Sequence, residues 1–352
     1  MNSPAYSPDT PFAGDVPGRR LASAARIPGG GGRPSPAGQT PVSPPSRFLK
    51  SIPAMKFPAL LAFLVATCLP LSAASLDTNQ LERITGLKGT FNAAEGVFKV
   101  TAPRNDVKIA VDGWNMPPFM GLTTWAAFVE GKKAEAMVMG DLVLFPDEVN
   151  PVMSVLFING IGVTALHNHF FFDEPKVFFL HIDAEGTFEQ LATGVKLAMA
   201  KTREIRAANP TPGKLFGNGF APATNSITGK ALEELLGVKG QAKDGMFKVV
   251  IGRPAKMSCG CDVNKEMGVN TWAAFAGTDD NALVDGDFAA TESELQTVLQ
   301  TLRAEGINIV AIHHHMIGET PRYLFLHYWG KGRAASLAGS LKRALDAQKA
   351  VK

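Results

Sequence analysis

All seven histidines of this 352-residue chain fall in two windows, residues 167–181 and 313–327. Both windows carry one pattern: His167, His169 and His181 are answered by His313, His315 and His327 at a constant offset of 146. Neutral imidazoles ligate zinc, copper, manganese or iron. Strand residues i and i+2 face the same side, so His167 and His169 share a face. A turn near residues 173–176 would set His169 opposite His181, with cross-strand Cβ atoms about 5 Å apart. In that register His167 faces Asp183, and three imidazoles with a carboxylate make a transition-metal ligand set. In the second window Trp329 stands where Asp183 would be, so a fourth ligand there is another group or water. His314, whose counterpart is Asn168, points to the other face and reads as structural or exposed. The competing reading is a hydrogen-bonding histidine cluster without metal.

Other residues carry weaker signals. Glu174 and Glu319 follow the His-x-His pairs at comparable distances, as ligands, as acid/base groups or, preferably, as turn residues. Asp141 and Asp287 each follow a glycine, which suits a turn or hydrogen-bonding role at least as well as catalysis. Cys259 and Cys261 occur in the second window's half only; they offer soft thiolates to copper or zinc, or are incidental, which is the preferred reading. Trp125 and Trp272 read as core anchors. Met316 beside His315 is a faint copper signal in a chain whose methionines otherwise read as core filler.

The elements that must hold these residues are duplicated. Thr124-Trp125-Ala126-Ala127-Phe128 is answered by Thr271-Trp272-Ala273-Ala274-Phe275, and Gly140-Asp141-Leu142 by Gly286-Asp287-Phe288. Such an ordered series at nearly constant offset is a tandem duplication, with a period too long for a solenoid. Alternation predicts strands over 98–104, 107–112, 123–129 and 135–144. A helix follows over 147–159, its acidic start favouring the N-terminal dipole and Gly160 stopping it. In the second copy, Thr291 with Glu294 predicts a capping box opening a helix over 292–305. Each helix leads into a hairpin, 163–171 with 177–183 and 307–316 with 323–328, and closing helices span 188–207 and 334–348. The expected class is α+β: antiparallel sheets with helices packed on one face, two helices and a His-bearing hairpin per unit. These helices argue against a cupin-like double barrel.

Composition sets the boundaries. Residues 1–54 hold 11 of the 24 prolines and should be disordered or a mis-called extension before a start at Met55. Lys56, the apolar run 57–69 and Ser72-Ala73-Ala74 make residues 55–74 a secretory signal peptide. Cys68 after Thr67 is a poor lipid-attachment site, so membrane contact by lipidation is the minor alternative. Residues 1–74 carry seven Lys/Arg and two Asp/Glu, so the remaining chain is slightly acidic and the pI of 8.7 comes from the leader. No nucleic-acid partner is expected. The expected units are residues 75–208 and 227–352, joined by a linker over 209–226.

The mature chain resembles the LppY/LpqO family of exported bacterial proteins. The resemblance rests on Met139-Gly140-Asp141-Leu142-Val143-Leu144, Asp147-Glu148-Val149-Asn150-Pro151-Val152 and Val163-Thr164-Ala165-Leu166-His167-Asn168-His169, and it covers nearly all of residues 76–346, more weakly in the second copy. It implies export and two tandem copies of one domain, and no reaction. In the second copy Ala289-Ala290-Thr291-Glu292 and His313-His314-His315 depart from the pattern. The expected function is transition-metal binding in the periplasm or outside the cell, through the six paired histidines. Metal-activated catalysis at an open three-histidine site and a cell-envelope binding module with structural histidines are the alternatives.

Overall fold

The structure is a computed structural model and describes residues 76–214 and 222–351. The expected extension 1–54, the signal segment 55–74 and Cys68 lie outside the described residues.

The alternation seen in the sequence is the alternation of burial. In Thr123–Glu130, Thr124, Ala126 and Phe128 are buried while their neighbours are half-exposed; Asn270–Gly277 repeats the pattern. The first region runs α1 (Thr78–Thr85), β1 (Gly89–Asn92), β2 (Val97–Pro103), β3 (Thr123–Glu130), β4 (Ala136–Leu144), α2 (Pro146–Ile158), β5 (Gly162–His167), β6 (Phe178–Gly186) and α3 (Phe188–Ala208). The second runs α4 (Gly229–Leu236), β7 (Gly240–Lys243), β8 (Met246–Gly252), β9 (Asn270–Gly277), β10 (Ala282–Thr291), α5 (Leu295–Ala304), β11 (Asn308–His313), β12 (Tyr323–Gly332) and α6 (Ala334–Ala350). Among the described residues each region thus has three α-helices where two were anticipated. The extra ones, α1 and α4, span only eight residues each and end at left-handed glycines, Gly86 and Gly237.

The two regions share one sheet. Its 12 strands lie in the order β1-β2-β3-β4-β6-β5-β11-β12-β10-β9-β8-β7, and the regions meet where β5 pairs antiparallel with β11 at Leu166 and Ile312. Antiparallel sheets can bury one face and leave the other to solvent. Here the six α-helices of the described residues cover the same face. Leu142, Leu166, Leu180 and Ile182 of the first region, and Phe288, Ile312 and Leu326 of the second, join residues of the helices in one core.

Two amides lock the regions together. Asn150 of α2 donates to the Ile309 carbonyl at 3.0 Å and accepts the Ile309 N–H at 2.8 Å. Its counterpart Gln296 of α5 does the same for Val163, at 2.8 and 3.1 Å. Ile309 and Val163 sit at register shifts in β11 and β5, where the ladder leaves backbone groups in need of partners. Each region's helix therefore pins the histidine strand of the other.

A buried charge network ties α2 to the sheet. Arg104 clasps Glu148 at 2.7 and 3.0 Å and donates to the Val143 carbonyl; Arg206 adds a contact to Glu148 at 2.9 Å and another to Asp147. Glu148 also accepts the Phe145 N–H at 2.9 Å, capping the helix. In the second region Arg253 holds Glu294, which accepts the Thr291 N–H at 2.9 Å. Residues 292–294 form a turn, and α5 begins at Leu295 rather than at residue 292.

Three further expectations are corrected. The strand expected over 107–112 is only Ala110–Val111, which pairs with Trp114–Asn115 and with Asp173–Glu174 in a separate small sheet. That pairing lengthens the β5–β6 connection to residues 168–177, so no tight turn forms. Consequently His167 lies opposite Phe179 and His181 opposite Ala165, four residues out of the expected register. The shift is even, so His167 and His181 keep a common face, but Asp183 moves to Gly162 at the far end of the strand.

Candidate metal centre

Pairing across the sheet brings the chemistry together on the face opposite the helices. One row reads Trp125 on β3, Asp141 on β4, His181 on β6 and Ala165 on β5. Continuing the Leu166–Ile312 pair by one residue sets His313 beside Ala165 and His167 beside Ala311. The next row therefore reads Phe179, His167, Ala311, His327, Asp287 and Trp272. The rows are related by a local twofold between β5 and β11. His167 and His313 are diagonal neighbours across it, about 7–8 Å apart at Cα.

Each cluster assembles in the same way. His167 and His181 stack with centroids 5.2 Å apart, and His313 and His327 with centroids 4.8 Å apart. His169 and His315 lie just past the ends of β5 and β11 and lean on aromatic rings. His169 stacks on Phe179 at 3.4 Å and His315 on Phe325 at 3.6 Å. Those phenylalanines belong to two small apolar cores under the site, one around Val143, Phe145 and Phe179, the other around Ala289, Tyr323 and Phe325. Met316 and Met257 pack against the second of these cores.

The carboxylates come from β4 and β10. Asp141 is directly opposite His181, its Oδ2 3.9 Å from that ring's Nε2. Asp287 is opposite His327, and its Oδ2 lies 3.1 Å from Nε2 of His315. The glycine before each aspartate is a close-approach residue. A Cβ at Gly286 would sit 2.2 Å from the Tyr328 hydroxyl, which fills that space and donates to the Trp272 carbonyl at 2.8 Å. A Cβ at Gly140 would sit 2.8 Å from the Trp125 carbonyl.

The donor atoms of Asp287, His313 and His315 could hold a cation. Two donors each about 2 Å from a zinc ion lie about 3–4 Å from one another. The His315–Asp287 pair is 3.1 Å apart, the His167 and His169 Nε2 atoms 3.2 Å, and the His181–Asp141 pair 3.9 Å. Ligand atoms of Asp287, His313 and His315 all lie within 4.8 Å of one another. Asp141 Oδ1, Asp287 Oδ1 and His313 Nε2 are buried with no hydrogen-bond partner among the described residues. A buried carboxylate oxygen left in that state is costly, and a cation between the donors would satisfy it.

Outer contacts orient the second cluster further. His315 Nδ1 lies 3.1 Å from the Gly268 carbonyl and His327 Nδ1 lies 3.3 Å from that of Gly286. A carbonyl accepts, so these Nδ1 atoms carry the protons, and Nε2 of His315 is left to face Asp287, the arrangement by which a second shell fixes a ligating tautomer. Burial, reinforced by the neighbouring imidazoles, holds His167 below the usual histidine range. Burial also lowers His169 and His313, with Asp141 and Asp287 respectively opposing it. Rings kept neutral keep their lone pairs for a metal.

The remaining candidates separate. Glu174 is exposed and pairs with Lys214 at 3.5 Å. Glu319 corresponds not to Glu174 but to Asp173: both are buried and accept a backbone N–H four residues on, Tyr323 at 3.0 Å and Val177 at 2.7 Å. They are connection residues. His314 is exposed and 3.3 Å from Arg322. Trp125 and Trp272 are half-buried on the histidine face, each with a lysine 4.1 Å from its ring, Lys99 and Lys248. They flank the aspartates instead of anchoring the core.

Comparison with known proteins adds a family and little else. A family described as Domain of Unknown Function (DUF1259) matches residues 79–201 and again residues 230–347. No curated protein matches. Among solved structures, a trimeric bacterial microcompartment shell protein, PduB, is 8% identical, covering 74% of this chain and 89% of its own at a TM-score of 0.20. EtuB from Clostridium kluyveri is 10% identical, covering 74% of this chain and 90% of its own, also at 0.20. Likenesses this slight carry no argument about fold or function.

Proposed function

For a chain that belongs to the DUF1259 family, twice over, we propose the function from the face it builds: transition-metal binding at two carboxylate–histidine centres. The first centre uses His167, His169, His181 and Asp141, and the second uses His313, His315, His327 and Asp287. The observation that carries this reading is the convergence of ligand atoms of Asp287, His313 and His315 within 4.8 Å, with Asp287 Oδ1 and His313 Nε2 buried and without a hydrogen-bond partner among the described residues. Imidazole with carboxylate suits zinc, copper, manganese or iron. The signal-like segment 55–74 and the LppY/LpqO resemblance support export, so the metal is handled in the periplasm or outside the cell. Among the described residues no helix is long and apolar enough to cross a membrane.

Elemental mass spectrometry on the chain from Ser75 onward tests this. Two equivalents of metal are expected after loading and dialysis, one in each of the variants His167→Ala/His169→Ala and His313→Ala/His315→Ala. No retained metal in the wild type after exposure to all four ions would leave an envelope-binding domain with hydrogen-bonding histidines.

A second reading, metal-assisted catalysis, has its own observation. The site is open, with the His181 and His315 side chains 38% and 33% exposed, so a bound ion would keep positions for water or substrate and act as a Lewis acid. A cavity of about 290 Å³, lined among others by Lys248, Asp285 and Trp329, lies on the same face, one row out from Asp287 and His327. Such a groove suits a small molecule with an aromatic or anionic part. With cobalt in the second centre, ligands entering the groove should perturb the visible spectrum, and Trp329→Ala should abolish that perturbation while metal content stays unchanged. A spectrum indifferent to every ligand class would remove the catalytic reading and leave the binding one.

A further inference from the structure

Cys259 and Cys261 stand at the tip of the small hairpin formed by Ala255–Lys256 and Asp262–Val263. Both thiols are exposed and their sulfurs are 2.7 Å apart. The two sulfurs are thus side by side, closer than ordinary non-bonded contact though still beyond the roughly 2.05 Å of a disulfide. The backbone holds them there. The Met257 N–H donates to the Cys261 carbonyl at 2.9 Å, and the Gly260 N–H donates to the Met257 carbonyl at 2.8 Å. Between the cysteines, Gly260 takes φ +83°, a left-handed conformation that costs glycine nothing and brings both sulfurs to one side.

The hairpin itself is anchored. Ala255 and Val263 are buried with Phe325, Lys256 pairs with Asp262 at 2.8 Å, and Lys256 exchanges backbone hydrogen bonds with Thr320 at 2.9 and 2.8 Å. The corresponding hairpin of the first region turns through Asp112-Gly113 and has no cysteine. The thiol pair is therefore a local addition to a framework that folds without it.

We propose that Cys259 and Cys261 form a redox-active dithiol that exchanges with disulfides of other molecules. The Cys259 thiolate attacks one sulfur of a disulfide R–S–S–R, and the departing thiolate takes up a proton. Cys261 then attacks the Cys259 sulfur of the mixed disulfide and expels the second thiol. The two cysteines are oxidised to one disulfide and the incoming disulfide is reduced to two thiols. Direction agrees with the surroundings: the side-chain contact with Cys261 lowers the Cys259 thiol, while the same contact, with Asp262 adding to it, raises Cys261. A lowered thiol attacks more readily, and an exposed disulfide in so small a loop belongs to the easily reversed kind.

The test uses the full chain with Cys68→Ala, so that only this pair reports. The metal-free protein is equilibrated in glutathione buffers of graded ratio, acid-quenched, alkylated and weighed intact. Expected is loss of both alkylation sites together as oxidised glutathione rises, in monomeric protein, with full recovery in excess reduced glutathione. Cys261→Ser should trap one glutathione on Cys259, faster than Cys259→Ser traps one on Cys261. Two thiols that stay alkylatable at every ratio, glutathione on both cysteines of the unsubstituted pair, or oxidation only as disulfide-linked dimers would each overturn the proposal.

Discussion

The two regions have nearly the same fold but support their centres differently. In the second region the carboxylate touches a histidine at 3.1 Å and two backbone carbonyls orient the rings. In the first the closest carboxylate contact is 3.9 Å, and the tightest pair is two imidazoles, His167 and His169, at 3.2 Å. Beneath the sites the balance reverses. The first region buries Glu148 completely between Arg104 and Arg206, whereas Glu294 in the second is partly exposed and is held by Arg253 and the neutral Gln348. A duplicated scaffold has kept the donor positions and let their supports drift: one copy is braced for stability, the other for ligand geometry.

The largest expected effect concerns that brace. Glu148→Ala takes from two buried guanidinium groups their shared, fully buried carboxylate and leaves Arg104 only Asp106 and Arg206 only Asp147, so it should cost about 3–5 kcal/mol in urea unfolding. Glu294→Ala removes charge-assisted hydrogen bonds at a partly wet site and should cost about 1.5–3 kcal/mol. Equal losses would show that the second arginine, Arg206, adds nothing and that the two braces are equivalent.

Next comes metal affinity. Second-shell partners typically change affinity by about 10–100-fold, and among the described residues only the second centre has carbonyls on its ring nitrogens. Competition titration with a chromophoric zinc chelator should resolve two affinities separated by that factor, about 1.4–2.7 kcal/mol. His315→Ala should remove the tighter one and His169→Ala the weaker. A single affinity for both, or the tighter one lost with His169, would contradict the assignment of the better-built centre.

Much of this was legible in the residues. The duplication, the antiparallel sheet with helices, and the paired histidines all follow from spacing and alternation. The ligand carboxylates did not. A hairpin argument looks only at strands adjacent in sequence, so it chose Asp183, which the longer β5–β6 connection carries away to Gly162. Asp141 reaches His181 because β4 pairs with β6 across an intervening helix and strand, a long-range pairing that periodicity does not encode. One sequence signal pointed there: Asp141 and Asp287 share the 146-residue offset of the histidines. The joining of β5 to β11 was equally hidden, since either strand read alone could have been a sheet edge.

The pH response should differ between regions in a smaller way. Burial holds His167, His169 and His313 below the ordinary histidine value. Below that value, about 6.5, the unfolded chain binds more protons than the folded one, so stability falls as pH drops through it and is fully present above it. Urea midpoints of the chelator-treated protein should therefore decrease between about pH 7 and about pH 5. His167→Gln/His169→Gln should flatten that slope more than His313→Gln, because the first region supplies two of the three lowered rings. A slope indifferent to these substitutions would move the acid sensitivity to other groups.

The smallest effect is expected where the copies have not diverged at all. Lys99 lies over Trp125 and Lys248 over Trp272, each 4.1 Å from the ring, on strands paired in the same register. Half-exposed cation–π pairs of this kind are worth about 0.5–1 kcal/mol. Lys99→Met and Lys248→Met keep the aliphatic stem that covers the indole and delete the charge, so each should cost that amount and no more, equally in both regions. The equality is the informative part: with geometry matched, any difference between the two variants must come from the wider field, in which Asp285 lies across the sheet near Lys248 while Met139 occupies the same position near Lys99. A larger loss at Lys248 would therefore measure the contribution of Asp285 and mark the groove beside the second centre as electrostatically organised.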